Sequence, residues 1–384
     1  MKSIKVRIYP NNKQIKMLNQ HFGARRWIYN YALEKKIKYY NNNKKSLSIY
    51  EISKELPKLK KENETLWLKD VNSQVLQQSL KDLEMAFSRF LKKTNKFPQF
   101  KSKHNPKQSF RVPQGFLINN ENKTIKIPKI GIIKFRDKFK FQKILEFRSI
   151  TISKKNDKFY ASILFLEKDE FKIRNKIDIN KILGIDLGIK IYATLSNEIK
   201  IKNPKFEFEY REKLKKAQQK LSNKQKKSKN YEKQKKIIAK IHEKITNCRK
   251  DFLHKLTTKL IDNQDYTSYA IEDLSIKNMQ KDNYSACNRA IGDVAWNTFR
   301  NMLKYKSEGN NKNLLIINRF EASSKTCSCG VKNKNLTLED RTWTCNSCGK
   351  THDRDILAAN NIKLFALIKN NLSAGHVDLV VKTI

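Results

Sequence analysis

The chain has 384 residues, of which 39% are apolar, so it is long enough for two or three domains with packed cores. Its 82 Lys and Arg residues against 37 Asp and Glu residues give a formal charge of +45, which repels itself unless a polyanion neutralises it. Six cysteines are too few for a disulfide scaffold, and no apolar stretch of about 18 residues could span a membrane. Composition therefore favours an intracellular nucleic-acid-binding protein, although a lysine-rich proteome would also explain part of the excess charge.

The N-terminal third is predicted to contain one strand and two helices. Basic and apolar residues alternate over 2–9, which predicts a strand with one wet, positive face that ends at Pro10. Apolar residues at helical spacing predict helices over 13–41 and 72–93, followed by a loop rich in Pro and Lys over 92–114. Basic residues interleave with aromatic residues here, so we expect phosphate contacts and base stacking, unless the aromatic rings are core. The candidate nucleic-acid contacts are Arg25, Arg26, Lys96, Lys101, Lys103 and Arg111.

The middle of the chain changes from strands to helices. A period of two over 116–168 predicts the strands of a small barrel or sheet, and a charged linker follows at 167–176. The most apolar strand segment, 181–196, contains a glycine turn. Residues 205–262 are predicted to be helical, and the lysine run at 213–236 is either a solvated face or a nucleic-acid contact.

The last third alternates short strands with helices. Strands are predicted over 269–274 and 313–320, with a helix through Ile291 and Leu303 between them. A cluster of cysteines then precedes a final helix over 355–370.

Three carboxylates stand out by their placement. Asp186 lies inside the most apolar strand, Glu272 ends the next strand, and Asp355 begins the last helix. A carboxylate in an apolar strand is unfavourable unless it is paired or binds a metal, and hard oxygen ligands suit Mg²⁺ or Mn²⁺. Phosphodiester cleavage by two metal ions about 4 Å apart needs such a group of acids. Each acid alone also fits a structural role, as a turn residue before Gly188, an N-cap or a first-turn acid.

The cysteine cluster predicts a structural metal site. One residue separates Cys327 from Cys329, two residues separate Cys345 from Cys348, and 15 residues lie between the pairs. Four cysteines closing a small ribbon are the usual structural zinc arrangement, which leaves no open position for catalysis. The first pair is one residue shorter than usual, and His352 is a possible substitute ligand. A degenerate ribbon without metal is the alternative.

Several blocks of the sequence together resemble the TnpB (OrfB) family, the transposon-encoded relatives of the type V CRISPR effector nucleases. The resemblance extends over nearly the whole chain. Its most specific part is the cysteine block, which ends in RTWTCNSCGKTHDRDILAANNI. The matching blocks are 7–33, GIDLGIKIYATLS (184–196), IEDLSIKNM (271–279), IGDVAWNTFRNMLKYK (291–306) and the cysteine block at 323–362.

The resemblance implies an α/β multidomain fold. An N-terminal helical lobe would be inserted in a small β-barrel, and an RNase H-like (RuvC) mixed sheet with flanking helices would carry an inserted zinc ribbon. The implied parts are a wedge-like barrel from 1–10 and 112–178, a helical recognition lobe from 11–111, a RuvC domain from 179–323 and 353–370, a zinc ribbon from 324–352 and a C-terminal tail from 371–384.

The resemblance also implies an activity, which is cleavage of double-stranded DNA beside a short motif, directed by a guide RNA from the transposon end. The catalytic acids of the family correspond to Asp186, Glu272 and Asp355, which would hold two Mg²⁺ or Mn²⁺ ions. Arg354 would orient the phosphate or a carboxylate, and the four cysteines would hold a structural Zn²⁺. Leu357 stands where the family often has Asn, which leaves the three acids intact, so we expect activity.

Two other functions compete with the guided nuclease. A non-catalytic DNA- or RNA-binding regulator of transposition would bind without cutting, and a transposase would join strands with the same three acids. We expect a cytoplasmic, nucleoid-associated protein of a bacterium or archaeon, with guide RNA and target DNA as partners. A companion transposase would be associated only through the shared mobile element.

Overall fold

The computed structural model of the protein describes residues 1–105, 108–136, 144–167, 176–281, 285–337 and 339–370. The chain divides into two compact units, Met1–Glu170 and Phe171–Ile384. Most of the linker predicted at 167–176 and the whole tail predicted at 371–384 lie outside the described residues.

The first unit begins with the predicted strand and helix. Strand β1 (Lys2–Tyr9) buries Val6 and Ile8 on one face, as the alternation of its residues requires. Helix α1 (Asn12–Asn43) starts at a capping box, in which the Asn11 side chain accepts from the Gln14 backbone N–H at 2.9 Å.

The connection between the two predicted helices contains helical turns that the periodicity did not reveal. Each helical element within 49–70 is too short to show a hydrophobic stripe in the sequence. The elements after α1 are α2 (Ile49–Lys54), α3 (Leu56–Leu59), a 3₁₀ turn at Asn63–Asp70 and α4 (Ser73–Leu91).

The strands of the first unit form one antiparallel sheet. Among the described residues the strand order is β2-β6-β7-β1-β5-β4-β3, so the helices α1–α4 are inserted in sequence between two strands of one sheet. The strands after α4 are β2 (Gln108–Val112), β3 (Leu117–Asn119), β4 (Thr124–Ile127), β5 (Gly131–Arg136), β6 (Ile144–Lys155) and β7 (Lys158–Glu167). Strand β2 lies where a loop was expected, and it crosses the predicted boundary between lobe and barrel at 111/112.

The second unit contains a mixed sheet with helices on both faces. Its elements in chain order are β8 (Ile182–Leu187), β9 (Ile191–Leu195), β10 (Lys200–Lys202), α5 (Phe206–Ser222), α6 (Lys229–Asp262), β11 (Ser268–Glu272), α7 (Ile276–Lys281), α8 (Ser285–Val294), α9 (Trp296–Gly309), β12 (Asn313–Ile317), β13 (Thr342–Thr344), β14 (Thr351–Asp353) and α10 (Arg354–Lys369). The sheet order among the described residues is β10-β9-β8-β11-β12. Strands β8, β11 and β12 are parallel to one another, and β9 runs antiparallel to β8.

Each face of this sheet has its own core, because successive side chains of a strand point to opposite faces. Leu183 and Ile185 pack with residues of α6 and α9, and Ile182 packs on the other face with residues of α10. The predicted helical region at 205–262 is two helices, since α6 starts afresh at Ser228, whose side chain accepts from the Tyr231 N–H at 3.0 Å.

The described helices include none with the length and apolar character needed to cross a membrane.

Candidate active site and metal centre

Two of the predicted acids lie on neighbouring parallel strands and point to the same face of the sheet. Ile185 of β8 and Ile271 of β11 are register partners, so the next residues, Asp186 and Glu272, follow side by side. Asp186 is an even number of residues from Ile182, and Glu272 from Ala270, so both acids point to the face of the sheet that packs against α10. Strand pairing therefore places two carboxylates next to each other at the carboxyl edge of the sheet.

The third acid is brought to this face by a close contact between a strand and a helix. A Cβ atom on Gly184 would lie 2.0 Å from the backbone oxygen of Ala359, so only glycine lets α10 approach β8 this closely. Asp355 stands in the first turn of α10. The N-cap is Asp353, whose side chain accepts from the backbone N–H of Asp355 at 3.0 Å and of Ile356 at 3.1 Å. Asp355 is therefore not the cap, and its side chain is available for another role.

The pKa values of Asp186 and Glu272 show that each of these acids lies close to another carboxylate. Burial, and after it the charge of Asp355, raises the pKa of Asp186 to about 7, although Arg354 partly opposes the shift. Burial, together with repulsion from Asp186 and Asp273, raises the pKa of Glu272 to about 7. Such a cluster of like charges is unfavourable on its own, and a bound cation would relieve it.

The two arginines near Asp355 have different contacts. The Arg354 guanidinium donates to the backbone oxygens of Thr337 and Asp340, at 3.3 Å for the latter. Nη1 of Arg341 lies 3.6 Å from Oδ1 of Asp355. Sequence reasoning missed Arg341. The register of β13 and β14 explains its place, because the Arg354 N–H bonds to the Arg341 oxygen at 2.8 Å.

The four predicted cysteines converge. Their sulfur atoms all lie within 4.8 Å of one another, with Cys327 and Cys348 at 3.6 Å and Cys329 and Cys345 at 3.7 Å. Four sulfurs at the corners of a zinc tetrahedron would be about 3.8 Å apart, since Zn–S bonds are about 2.3 Å long. Backbone N–H groups of Cys348 and Ser347 lower the pKa of Cys345 to about 6, which favours the thiolate that a metal needs, whereas burial raises the pKa of Cys327. The cluster therefore fits a four-coordinate metal ion.

The shortened first pair is accommodated by a tighter turn. In the first loop the Gly330 N–H donates to the Cys327 oxygen at 2.9 Å, three residues back. In the second loop the Gly349 N–H donates to the Cys345 oxygen at 2.9 Å, four residues back. Both glycines have a positive φ, of 91° and 70°. The missing residue therefore changes the turn and still lets the sulfurs meet.

The alternative ligand His352 lies beside the cluster. Its Nε2 is 3.0 Å from Sγ of Cys327, and both side chains are buried. His352 is thus within reach of the cluster as an alternative ligand. The residue that departs from the family pattern, Leu357, is buried with Leu336 and Trp343 in the small core around Cys327.

One buried amide joins the cysteine block to the helix that carries Asp355. Asn361 of α10 is 4% exposed, and its Nδ2 donates to the oxygens of Ser323 at 2.7 Å and Thr326 at 2.6 Å. The residue before Cys327 is therefore held directly on α10. A polar residue in a buried helix position was visible in the sequence, but its partners were not.

Three of the predicted nucleic-acid residues line one cavity of the first unit. Arg25, Arg26 and Lys101 surround it together with Tyr29. Nη2 of Arg25 lies 2.6 Å from Oδ2 of Asp82, which is the acid seen beside these cations. Nζ of Lys101 lies 4.6 Å from the centre of the Tyr29 ring. The ring is buried, so Tyr29 is core on one side and a cation contact on the other.

The other three predicted contacts do not line this cavity. Lys96 and Lys103 are exposed on the segment between α4 and β2, and Arg111 is exposed on β2. The structure therefore separates the six residues into one clustered group and three single exposed side chains.

Comparison with known families gives three matches along the chain. The family model described as "Probable transposase" matches residues 162–283, and the model of a "Cas12f1-like, TNB domain" matches 296–362. A model described as "Helix-turn-helix domain" of the same transposase group matches 1–45, a segment that here forms β1 and α1. The acids Asp186 and Glu272 fall in the first match and Asp355 in the second.

Two curated relatives match nearly the whole chain. A Streptomyces pristinaespiralis protein named "Putative RNA-guided DNA endonuclease" is 35% identical over 94% of this chain and 88% of its own length. An Escherichia coli protein named "Putative RNA-guided DNA endonuclease InsQ" is 31% identical over 99% of this chain and 93% of its own length. These matches define a class of proteins encoded by mobile elements. The chain belongs to the TnpB (OrfB) family, as the sequence blocks indicated.

A solved structure shares the fold. The protein chain of a Cas12f1–guide RNA–target DNA complex superposes with a TM-score of 0.56 at 15% identity, covering 91% of this chain and 82% of that one. The α/β multidomain prediction is thereby confirmed at the level of the overall fold.

Proposed function

We propose that the protein is an RNA-guided, metal-dependent endonuclease that cleaves double-stranded DNA next to a short transposon-associated motif. The observation that carries the proposal is that Asp186 and Glu272 lie side by side at one edge of the mixed sheet, with Asp355 near enough for its charge to raise the pKa of Asp186. The names of the two relatives support the guide RNA and the DNA substrate.

The mixed sheet of the second unit supports an RNase H-like (RuvC) assignment for 179–323 and 353–370. Its antiparallel β9 next to β8, followed by parallel β11 and β12, agrees with the mixed sheet that the family resemblance implied. We assign the zinc ribbon to 324–352, which holds all four cysteines. In the first unit the sheet and the inserted helices suit the wedge-like barrel and the recognition lobe.

The acid cluster suits two Mg²⁺ or Mn²⁺ ions, because carboxylate oxygens are the ligands that such hard cations prefer. Asp186, Glu272 and Asp355 would hold them, and bound cations of this kind supply an activated water and stabilise a leaving oxygen. The chain's own contribution is to fix the three carboxylates on two strands and one helix. Arg341 is placed by the ribbon hairpin to limit the negative charge around Asp355.

The cysteine cluster suits a structural Zn²⁺. Its four sulfurs are at separations that match a zinc tetrahedron, and Asn361 and Leu357 attach the same segment to α10. A metal there would stabilise the segment that leads into the third acid.

The excess of positive charge suits guide RNA and target DNA as partners. The cavity gathers the cations Arg25, Arg26 and Lys101, of which Arg25 pairs with Asp82, and this excess of positive charge favours an anionic ligand such as a phosphodiester. Lys96, Lys103 and Arg111 are proposed as further backbone contacts.

The test is cleavage of a plasmid that carries a guide-matched target and a library of flanking sequences. The protein is expressed with its transposon-end RNA, purified as the complex and supplied with Mg²⁺. Asp186→Asn, Glu272→Gln and Asp355→Asn should each abolish cutting while RNA binding is retained. Asp251→Asn is the matched control, because this exposed acid on α6 pairs only with Lys255 among the described residues.

The outcomes separate the competing functions. If Asp186→Asn cuts as well as the parent, the site assignment is wrong. Binding without cutting under every guide and metal condition would instead support a non-catalytic regulator of transposition. Joined strands in place of linear products would support a transposase.

A further inference from the structure

A second group of charged residues lies at the same sheet edge and is not part of the acid cluster. Asp273 directly follows Glu272, and its carboxylate accepts from Nη1 of Arg300 at 2.7 Å and from Nη2 of Arg319. Arg300 belongs to α9, and Arg319 follows the end of β12 by two residues. Three elements of the second unit therefore bring one acid and two guanidinium groups together.

Stability does not account for this arrangement. The side chains of Arg300, Arg319 and Asp273 are 33%, 42% and 31% exposed, and ion pairs with this much solvent contact stabilise a fold very little. Two arginines on one carboxylate also leave a net positive charge. A group of this kind is better suited to a negatively charged ligand than to holding the fold together.

The guanidinium groups keep donors for such a ligand. Each guanidinium has five N–H donors. Among the residues that the structure describes, Arg300 donates to Asp273 and to Oδ1 of Asn297 at 3.1 Å, and Arg319 donates to Asp273. Most of the donors of both groups are thus available, and Asp273 keeps both planes in place.

The pair lies beside the acid cluster. Arg300 and Glu272 line the same small cavity, together with Leu187 and Trp296. A nucleic-acid strand that reached the acids would meet strong repulsion from their carboxylates. The guanidinium groups of Arg300 and Arg319 would offset this repulsion and hold a backbone phosphate next to the one that is cleaved.

We propose that Arg300 and Arg319, held in place by Asp273, form a phosphodiester clamp for the DNA strand that enters the acid cluster. The strand's backbone phosphate is the ligand, and Asp273 is a positioning residue that touches the two arginines. The clamp rests on the proposed nuclease function, which supplies the strand.

The test measures binding rather than cleavage. The complex of protein and guide RNA is titrated with a fluorescent, guide-matched single-stranded DNA without divalent cations, at four salt concentrations from low to high. Each phosphate contact contributes about 0.7 to the slope of log affinity against log salt for a single strand. Arg300→Gln and Arg319→Gln should each reduce the slope by about this amount. Lys255→Gln, which removes an exposed charge on α6, should leave it unchanged.

Two further variants separate the clamp from a purely structural role. Arg300→Lys keeps the charge and should keep the slope, even if it lowers the melting temperature. Asp273→Asn keeps both cations, so the slope should stay, and the affinity should fall about threefold or more because the arginines are no longer held in place. A structural role alone would change the melting temperature and leave slope and affinity unchanged.

The clamp is overturned if both Arg→Gln variants keep the parent slope, and the positioning role of Asp273 is overturned if Asp273→Asn keeps the parent affinity. Cleavage by Asp186→Asn, measured separately, decides the nuclease assignment. If Arg300→Gln and Arg319→Gln lower the slope as expected but Asp186→Asn cuts as well as the parent, the clamp is supported and the assignment of the active site is wrong.

Discussion

The cysteine cluster and the group of three acids in the second unit are built in opposite ways. The cysteine cluster comes from one short segment, 327–348, in which two tight turns and a hairpin bring the sulfurs together. The acid cluster comes from positions as far apart as Asp186 and Asp355, and it exists only because two parallel strands and a helix meet. Local chemistry therefore determines the first cluster, and the topology of the whole unit determines the second.

The largest expected effect comes from changing the contact between β8 and α10. Gly184→Ala would put a Cβ atom 2.0 Å from the Ala359 backbone oxygen, so α10 must move away with Asp355. A displacement of about 1 Å can lower a rate on the order of 100-fold, and we expect a loss of plasmid cleavage of at least that size. Gly292→Ala is the control, because nothing lies within 4 Å of its Cβ position. Equal cleavage by both variants would show that the helix contact does not position the acid.

The next largest effect tests whether the cysteine cluster supports the acid cluster. Cys345→Ser should lose the bound zinc, measured by metal analysis. Because structural zinc contributes strongly to folding, the melting temperature should fall on the order of 10 °C. Cleavage should fall too, since the ribbon is attached to α10. Cys248→Ser, on α6 and outside the cluster, should change none of these three properties. Retained zinc in Cys345→Ser and loss in His352→Ala would assign the ligand set differently.

A smaller effect is expected at the amide that joins the two clusters. Asn361→Leu removes both hydrogen bonds to the Ser323 and Thr326 oxygens and leaves these acceptors buried. The free energy of unfolding should fall by about 1–3 kcal/mol, and zinc should be released faster to a chelator. The neighbouring exposed Asn360→Ala serves as the control. If zinc release is unchanged in Asn361→Leu, the ribbon is held independently of α10.

The smallest effect concerns the pH dependence of the acid cluster. The pKa values of Asp186 and Glu272 are raised to about 7, above the unfolded values of about 4. The native state therefore holds protons that the unfolded state releases, so without added Mg²⁺ stability falls as pH rises from about 4 to about 7. The melting temperature of Asp186→Asn relative to that of the parent should therefore rise between pH 5 and pH 8. A constant difference across this range would contradict the raised pKa.

The sequence predicted the parts that depend on local patterns. Short-range periodicity predicted the long helices α1 and α4 and the alternating strands. The spacing of the cysteines predicted that they converge. Asp186 was selected because a carboxylate inside an apolar strand is unfavourable unless it is paired or binds a metal, and Glu272 and Asp355 were selected by their places at a strand end and a helix start.

The rest depended on long-range pairing that no local pattern encodes. The register of Ile185 with Ile271 sets which acids are neighbours, and it is fixed by the sheet. Arg341 and Asp273 look like ordinary charged residues, and only the hairpin and the sheet edge reveal their partners. Strand β2 was read as loop because its five residues follow a segment rich in Pro and Lys.

The residue that departs from the family pattern has a further consequence for how the second unit opens. Leu357 places the first turns of α10 in the same small core as Cys327 and Trp343. Backbone amides of the ribbon and of the start of α10 should therefore exchange with deuterium together, as one cooperative unit. An opening event that exposes the two buried thiols, Cys327 and Cys345, to an oxidant would release Asp355 at the same moment, so oxidation of these two thiols and loss of the acid cluster are expected to be a single event.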